Sequence, residues 1–518
     1  MQSRRFIYAL VIALLVALGS VGAEEDRYGG VLRIGAFGHP PTLDWHIGTG
    51  APHTPRNLIY EQLLIFDAQL VPQPQLASSY YANEDATVWT FELREGVKFH
   101  DGTDFTAEDV KASFERYLQV GQRAHEYAAI QEIEIVDDFT VVFHLDRPWA
   151  AFDESIGQTF TPPAIIPKWV AEKWHDEQMT DDFIGTGPYK LELEIPGQEI
   201  RLVRFEEYTQ PPGESSYLAG QRSNYVDEIQ FIAIGEPATR VAALMAGDIH
   251  VAALIPLDDV EILRRHPTTD VSLVGPGTRA YIKMNSLEGP FEDPLLRRAV
   301  QAVVDHEELM AAQGPSEFWT ANPVPRFVEG MWPWDPILWN YYPADMALAR
   351  SLVEASSYDG ELVKFMMSAA RVPSYRYAPL LLELLQDIGL NVEVVSVDAA
   401  TFAQKWNNFD EWDIKHSNGG ALEPPAYLES TSRTRGGLRW PWVTPEWDYW
   451  MNEARVRVDL EGRQQALREI YRLKGEGAGE IWVGQVLDVV GYQVGVHGIT
   501  DFGDLMWPTE IWLEEGLR

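Results

Sequence analysis

The sequence predicts an α/β protein with more than one domain. Strand-like and helix-like segments alternate from one end of the chain to the other. The 518 residues, 46% of them apolar, also exceed what one hydrophobic core organises, which points to two or three domains. No internal repeat, low-complexity tract or long linker interrupts the alternation.

The elements can be justified in order. Arg4 and Arg5 precede an apolar run over residues 6–18, roughly a dozen residues, shorter than the ~20 that span a bilayer. Val21 and Ala23 stand at positions −3 and −1 of an A-x-A-like cleavage site. Residues 1–23 are therefore expected to be a secretory leader, with the mature chain beginning near Glu24. Val31, Leu32, Arg33 and Ile34 form a short strand closed by Gly35. Residues 89–93 alternate with period two, turn at Glu95 and Gly96, and continue through Val97 to Phe99. Thr106 and Asp109 form a capping box, and the helix they open carries Val110, Phe114 and Tyr117 or Leu118 on one face. Residues 133–145 read as two strands joined at Asp137 and Asp138.

Farther on, Leu380, Leu381, Leu384, Leu385 and Ile388 repeat at helical spacing, and Gly389 supplies a left-handed cap. With a strand before (residues 363–366) and after (392–395), this is a βαβ crossover, which implies a mainly parallel sheet. Residues 461–474 form another amphipathic helix. The apolar segment 507–513 is expected to tie the C-terminus into the fold.

Composition limits the chemistry. With 0 cysteines the chain has no disulfide, thiolate metal site or thiol nucleophile, and no cysteine to carry a lipid anchor. A formal net charge of −37 repels nucleic acid and anionic lipid. The acids are spread rather than blocked, the pattern of a solubilising surface. There is no G-x-S-x-G elbow and no Walker lysine loop. His306, Glu307 and Glu308 begin like a zinc-protease helix, but Met310 stands where its second histidine belongs. Gly185 to Gly187 is followed by Pro188, which fits a tight turn entering a strand. His39, His46 and His53 are spaced by seven, yet no flanking residue enforces metal geometry, so they read as loop histidines. No metal or other cofactor is expected.

The distinctive composition is aromatic, with 18 Trp and 21 Tyr. Many stand in Pro- and Gly-rich stretches: Trp45, Trp319, Trp332, Trp334, Trp339, Tyr341, Tyr342, Trp440, Trp442, Trp447 and Trp450. Such side chains stack on flat or apolar ligand faces while offering one polar handle, and they also serve as packing under long loops.

Several stretches together carry a resemblance. Gly29 to Gly35 leads to Pro41, Thr42, Leu43 and Asp44, then Ile59, Tyr60, Glu61, Gln62 and Leu63, then Leu76, Ala77, Ser78 and Ser79. The most specific block runs from Phe91 to Phe114: F-E-L-R-E-G-V-K-F-H-D-G-T-D-F-T-A-E-D-V-K-A-S-F. Gly185 to Tyr189 follows, then R-V-A-A-L-M-A-G-D from Arg240, Met284 and Asn285, G-P-F-E-D-P-L-L-R-R-A-V from Gly289, and Val304 with Asp305. Residues 387–397 and the pair Trp412 and Asp413 close the series. In order and spanning roughly residues 29–500, these resemble the extracellular solute-binding proteins of family 5, which serve peptide, nickel and related ABC importers.

The resemblance implies a two-lobed periplasmic binding protein fold, class II-like, with a subdomain inserted in the first lobe. The expected division is leader 1–23; first lobe 24–59, 185–278 and 490–518; inserted subdomain 60–184; second lobe 279–489. Residues 273–278 and 489–491 would cross as a hinge. The implied role is that of a monomer held in the periplasm and not lipidated. It would enclose an oligopeptide or peptide-like solute between its lobes and deliver it to an ABC permease in the inner membrane, with no catalysis and no nucleic-acid partner. His100 and Asp101 are expected to be scaffold.

The expected ligand-binding residues are Trp45, Trp334, Arg371, Asn418, Gly419, Gly420, Glu423, Trp440 and Trp442. Peptide binders that the chain resembles use an aspartate to hold the ligand's amino group, and Gly420 stands at that position. Glu423 lies three residues on, and Arg371 is the candidate for the carboxylate end. The glycine leaves an oligosaccharide ligand as an alternative cargo, and a secreted hydrolase of peptides or glycans as an alternative of another class.

Overall fold

The computed structural model describes residues 27–48, 54–68, 71–158, 161–321, 344–368, 376–398, 401–402, 405, 409–420, 443–499 and 508–518. Three large apolar clusters organise them. The first gathers Leu32 and Ile34 of strand Val31–Ala36, Ile200 and Leu202 of Glu199–Arg204, and Ile229 and Phe231 of Glu228–Ala233. The second fills the space between a four-stranded antiparallel sheet and helix Ala107–Val120. The third lies in the second lobe under strands Val363–Met367 and Ile414–Gly420 and helices Pro294–Ala302 and Ala378–Asp387.

Local chemistry accounts for these elements. In strand Val88–Leu93 the inward residues Trp89, Phe91 and Leu93 are buried, and Thr90 and Glu92 look outward, as a period of two requires. Helix Ala107–Val120 starts where the backbone N–H of Thr106 donates to the Asp109 carboxylate at 2.8 Å. Its buried face is Val110, Phe114 and Tyr117, and Phe114 meets Phe143 of the sheet edge-on at 4.8 Å. The C-terminal apolar segment is tied in as expected. Strand Trp512–Leu513 pairs with Val496–His497, and Ile511 and Leu513 are fully buried in the first cluster.

The F-H-D-G block is scaffold. The Asp101 carboxylate accepts from the Thr103 N–H at 3.0 Å and its hydroxyl at 2.6 Å, closing a turn. The His100 backbone N–H donates to the Gly185 carbonyl at 3.0 Å, and its ring Nε2 lies 2.9 Å from the Gly187 carbonyl. Gly185 and Gly187 pass so close to helix Thr54–Ile59 that a Cβ would lie 2.1 Å from the Ile59 oxygen or 2.2 Å from the Leu58 oxygen. Three of the recurring sequence blocks thus meet at one joint.

Among the described residues the main sheet has eleven strands and is mixed. The expected βαβ crossover is present: Val363–Met367 and Val392–Ser396 pair in parallel around helix Ala378–Asp387, and Gly389 takes φ +99°. A mainly parallel sheet is not what forms. Two long strands, Thr269–Met284 and Glu480–Gln493, run antiparallel to each other along the middle, and strand Ile414–Gly420 is antiparallel to the first of them. The crossover fixes the direction of the outer strands only; the two central strands lie far apart in sequence, and no local pattern fixes their relative direction.

Those two strands pair in two stretches. Residues 269–274 pair with 488–493, residues 278–283 pair with 480–486, and the register shifts between Val274 and Thr278. Gly277 occupies the shift at φ +75°, where a Cβ would stand 2.1 Å from the Val486 oxygen. Only glycine allows this close crossing.

Candidate functional site at the lobe junction

The register places the end of strand Ile414–Gly420 at the crossing. Gly420 faces Thr278, Gly419 faces Arg279 and Asn418 faces Ala280, immediately beyond the shift at Gly277. Thr278 secures the junction by donating its hydroxyl to Asp488 at 3.1 Å. Strand Val363–Met367 is a parallel neighbour, with Phe365 opposite Ile414. At its end, the Ser368 N–H donates to the buried His416 ring at 2.8 Å. The two strands therefore end on the same edge, and Arg371 follows one in sequence while Glu423 follows the other. The C-terminal edge of parallel strands is where open α/β sheets bind ligands. Arg371, Glu423, Trp334, Trp440 and Trp442 themselves lie outside the described residues.

Trp45 is placed differently from its expected role. It is 3% exposed and packs in the first lobe's core, its ring centroid 6.1 Å from that of Tyr60. A tryptophan in a proline- and glycine-rich stretch is not thereby exposed; here the stretch folds back over the sheet. Trp447 and Trp450, read as loop aromatics, belong to helix Pro445–Val456, which begins where the Thr444 hydroxyl accepts from the Trp447 N–H at 3.2 Å. Trp447 is buried there between helices. Thr444 and Pro445 are a helix-start signal that reads as a loop when counted only as turn formers.

The histidines serve the scaffold. His46 has Arg116 2.8 Å from Nδ1 and the Ala164 carbonyl 2.7 Å from Nε2, and burial together with the Arg116 charge lowers its pKa to about 4. Arg116 in turn grips Asp44 with bonds of 2.6 and 3.2 Å, both side chains fully buried. His39 turns to the Pro40 carbonyl at 2.7 Å, and His53 lies outside the described residues. Among the described residues no group of three or more His, Cys, Asp or Glu could hold a metal ion.

A polar set beside the junction escaped the sequence reading. Arg279 is 4% exposed and stacks on the Trp482 ring at 4.3 Å. On the same pair of strands, Glu480 sits 2.9 Å from Lys474 and 3.7 Å from Lys283, and accepts from Trp482 Nε1 at 2.8 Å. The signal was present: Arg279, Tyr281 and Lys283 alternate with apolar residues, the mark of a strand whose second face is polar and covered.

Comparisons place this architecture among known proteins. The chain is 28% identical over 418 residues to a probable peptide ABC transporter periplasmic-binding protein of Sinorhizobium fredii, covering 79% of this chain and 76% of that one. It is 26% identical over 348 residues to the glutathione-binding protein GsiB of Escherichia coli K12, covering 66% and 64%. Among solved structures, the binding protein DppA of Helicobacter pylori, in complex with the peptide STSA, superposes with a TM-score of 0.77 at 22% identity, over 95% of this chain and all of that one. The oligopeptide-binding protein AppA of Bacillus subtilis, with a nonapeptide, gives 0.78 at 20% identity over 94% and 99%. These likenesses establish the two-lobed binding-protein fold. No helix among the described residues is long and apolar enough to cross a membrane. The family profile of bacterial extracellular solute-binding proteins, family 5, matches residues 71–437, and the chain belongs to that family.

Proposed function

We propose that the chain captures a peptide-like solute between its two lobes in the periplasm and passes it to the permease of an ABC importer, as an unlipidated monomer that catalyses no reaction. The observation that carries this is the crossing: two antiparallel strands join the lobes through a register shift at Gly277, and the second lobe's strand ends at Gly420 abut that shift. Residues 273–278 and 489–491 then act as the hinge. Closure desolvates the solute, and the closed form presents the surface that a permease reads. The peptide-binding relatives supply the solute class.

The backbone of Asn418, Gly419 and Gly420 offers the cleft wall, with Trp334, Arg371, Glu423, Trp440 and Trp442 as side-chain contacts. Gly420 carries no carboxylate for an amino terminus, and leaving a buried ligand charge without a partner of that kind weakens binding by about 2–5 kcal/mol. Longer or backbone-read peptides are therefore favoured over short zwitterionic ones. Native mass spectrometry of protein purified from its own periplasm tests the proposal. Retained masses in peptide ladders are the expected result. A retained sugar mass overturns the peptide assignment, and turnover of an added peptide overturns the non-catalytic role.

A further inference from the structure

The crossing strands are not the only place where the lobes touch. Helices Pro445–Val456 and Leu460–Gly477 pack on each other around Trp447, Ala454, Leu467 and Ile470. The far end of this pair is fastened to the second lobe. Arg297 Nε donates to the Gly477 carbonyl at 2.8 Å, Gln301 donates to that of Gly475 at 3.1 Å, and Lys474 pairs with Glu480 at 2.9 Å. The near end, the elbow between the two helices, reaches the subdomain of the first lobe. There the Ala150 N–H donates to the Arg455 carbonyl at 2.7 Å, the Arg455 guanidinium lies 6.0 Å from the Trp149 ring centre, and Arg463 pairs with Glu154 at 3.0 Å.

Both sides of this contact are stiff. Trp149 is wedged against Phe152 at 5.1 Å, and its carbonyl accepts from Trp89 Nε1 at 3.2 Å. Glu154 follows on helix Phe152–Gly157 with its side chain 8% exposed. On the other side, Asp459 caps helix Leu460–Gly477, accepting from the Gly462 N–H at 2.6 Å. Opening the lobes at the crossing strands would carry the fastened helix pair away from Trp149, Ala150 and Glu154. A carboxylate and a guanidinium that meet only in the closed form contribute to closure whether or not a solute is present.

We propose that this contact is a closure latch: Glu154 and Arg463, with Trp149 and Ala150 against Arg455, clasp the subdomain to the second lobe and set the fraction of unliganded protein that is closed. The latch rests on the capture reading in one respect, that the lobes open. Affinity for the solute then scales with that closed fraction, because part of the work of closing is already done.

The test is the charge swap read by distance. The chain has 0 cysteines, so Tyr81→Cys and Val394→Cys, at exposed sites on the subdomain and the second lobe, take a fluorescent donor and acceptor cleanly. In the unliganded protein, Arg463→Glu is expected to lower the closed-to-open ratio about tenfold or more, since a second carboxyl then replaces the guanidinium that Glu154 bonds. Glu154→Arg with Arg463→Glu restores the ratio. Arg463→Gln, milder for folding, gives an intermediate loss, and circular dichroism melting reports folding in each variant. Unchanged distances in Arg463→Glu and Arg463→Gln, or failure of the double swap to restore a lost closed population, overturn the latch. Peptide masses retained by those same proteins would leave the capture reading standing even then.

Discussion

Two largely buried carboxylates face cations in different parts of the molecule. Inside the second lobe, Glu480 has Lys474 at 2.9 Å, Lys283 at 3.7 Å and the Trp482 N–H at 2.8 Å. At the contact between subdomain and second lobe, Glu154 has Arg463 at 3.0 Å, with Asp153 beside it on the same helix. Burial disfavours the charged form of both. At Glu480 the two ammonium groups and the hydrogen bonds outweigh that cost and hold its pKa at about 2. At Glu154 burial prevails over Arg463, Asp153 pushes the same way, and the pKa rises to about 7. The difference separates a carboxylate whose charge its neighbours fully compensate from one whose charge a single guanidinium compensates only in part.

The sharpest way to break the comparison is to remove the fully compensated carboxylate. Glu480→Ala leaves Lys474 and Lys283 facing each other under a buried indole, and is expected to cost about 3–5 kcal/mol in denaturant unfolding. Loss of less than about 1 kcal/mol would show that the cluster is solvated.

Acid and base should act on the two carboxylates in opposite senses. The folded-state pKa of Glu154 lies above its ordinary 4.5, so its contribution to stability is full below pH 4.5 and is lost as pH rises through about 7, a change of about 3 kcal/mol. That of Glu480 lies below 4.5, so its contribution is full above pH 4.5 and is lost as pH falls toward 2. Unfolding curves of Glu154→Gln should lose the slope between pH 4.5 and 7 and keep the acid limb. Equal slopes in wild type and variant across that window would contradict the assignment.

The smallest effect on folding is expected at the crossing. Gly277→Ala must place a methyl 2.1 Å from the Val486 oxygen at φ +75°, and should cost about 1–3 kcal/mol while shifting the open-to-closed balance measured by solution scattering. A change in stability with no change in scattering would make Gly277 a packing glycine rather than part of a hinge.

Much of this is legible in the sequence. The strand at Val31, the capping box at Thr106 and Asp109 and the helix cap at Gly389 each depend on neighbours within a few residues, and each stands where the sequence predicts it. The segment 418–420 stands where the resemblance places an aspartate, and the register sets it opposite residues 278–280, beside the shift at Gly277. Trp45 and Trp447 are both buried, which their sequence neighbours do not signal, because burial of an aromatic depends on what the rest of the chain lays over it.

By itself the sequence determined the alternation of elements, the caps and turns, the recurring blocks that mark family 5, and the absence of cysteine, all properties of residue type at short range. Only the tertiary structure decided that the central strands run antiparallel, that Glu480 gathers two lysines while Glu154 has one arginine, and that residues 149–154 meet 455–463 across some three hundred positions. Pairings at such separation carry no local signature. They arise when each lobe has buried its own apolar face and the two finished surfaces are brought together by the strands that join them.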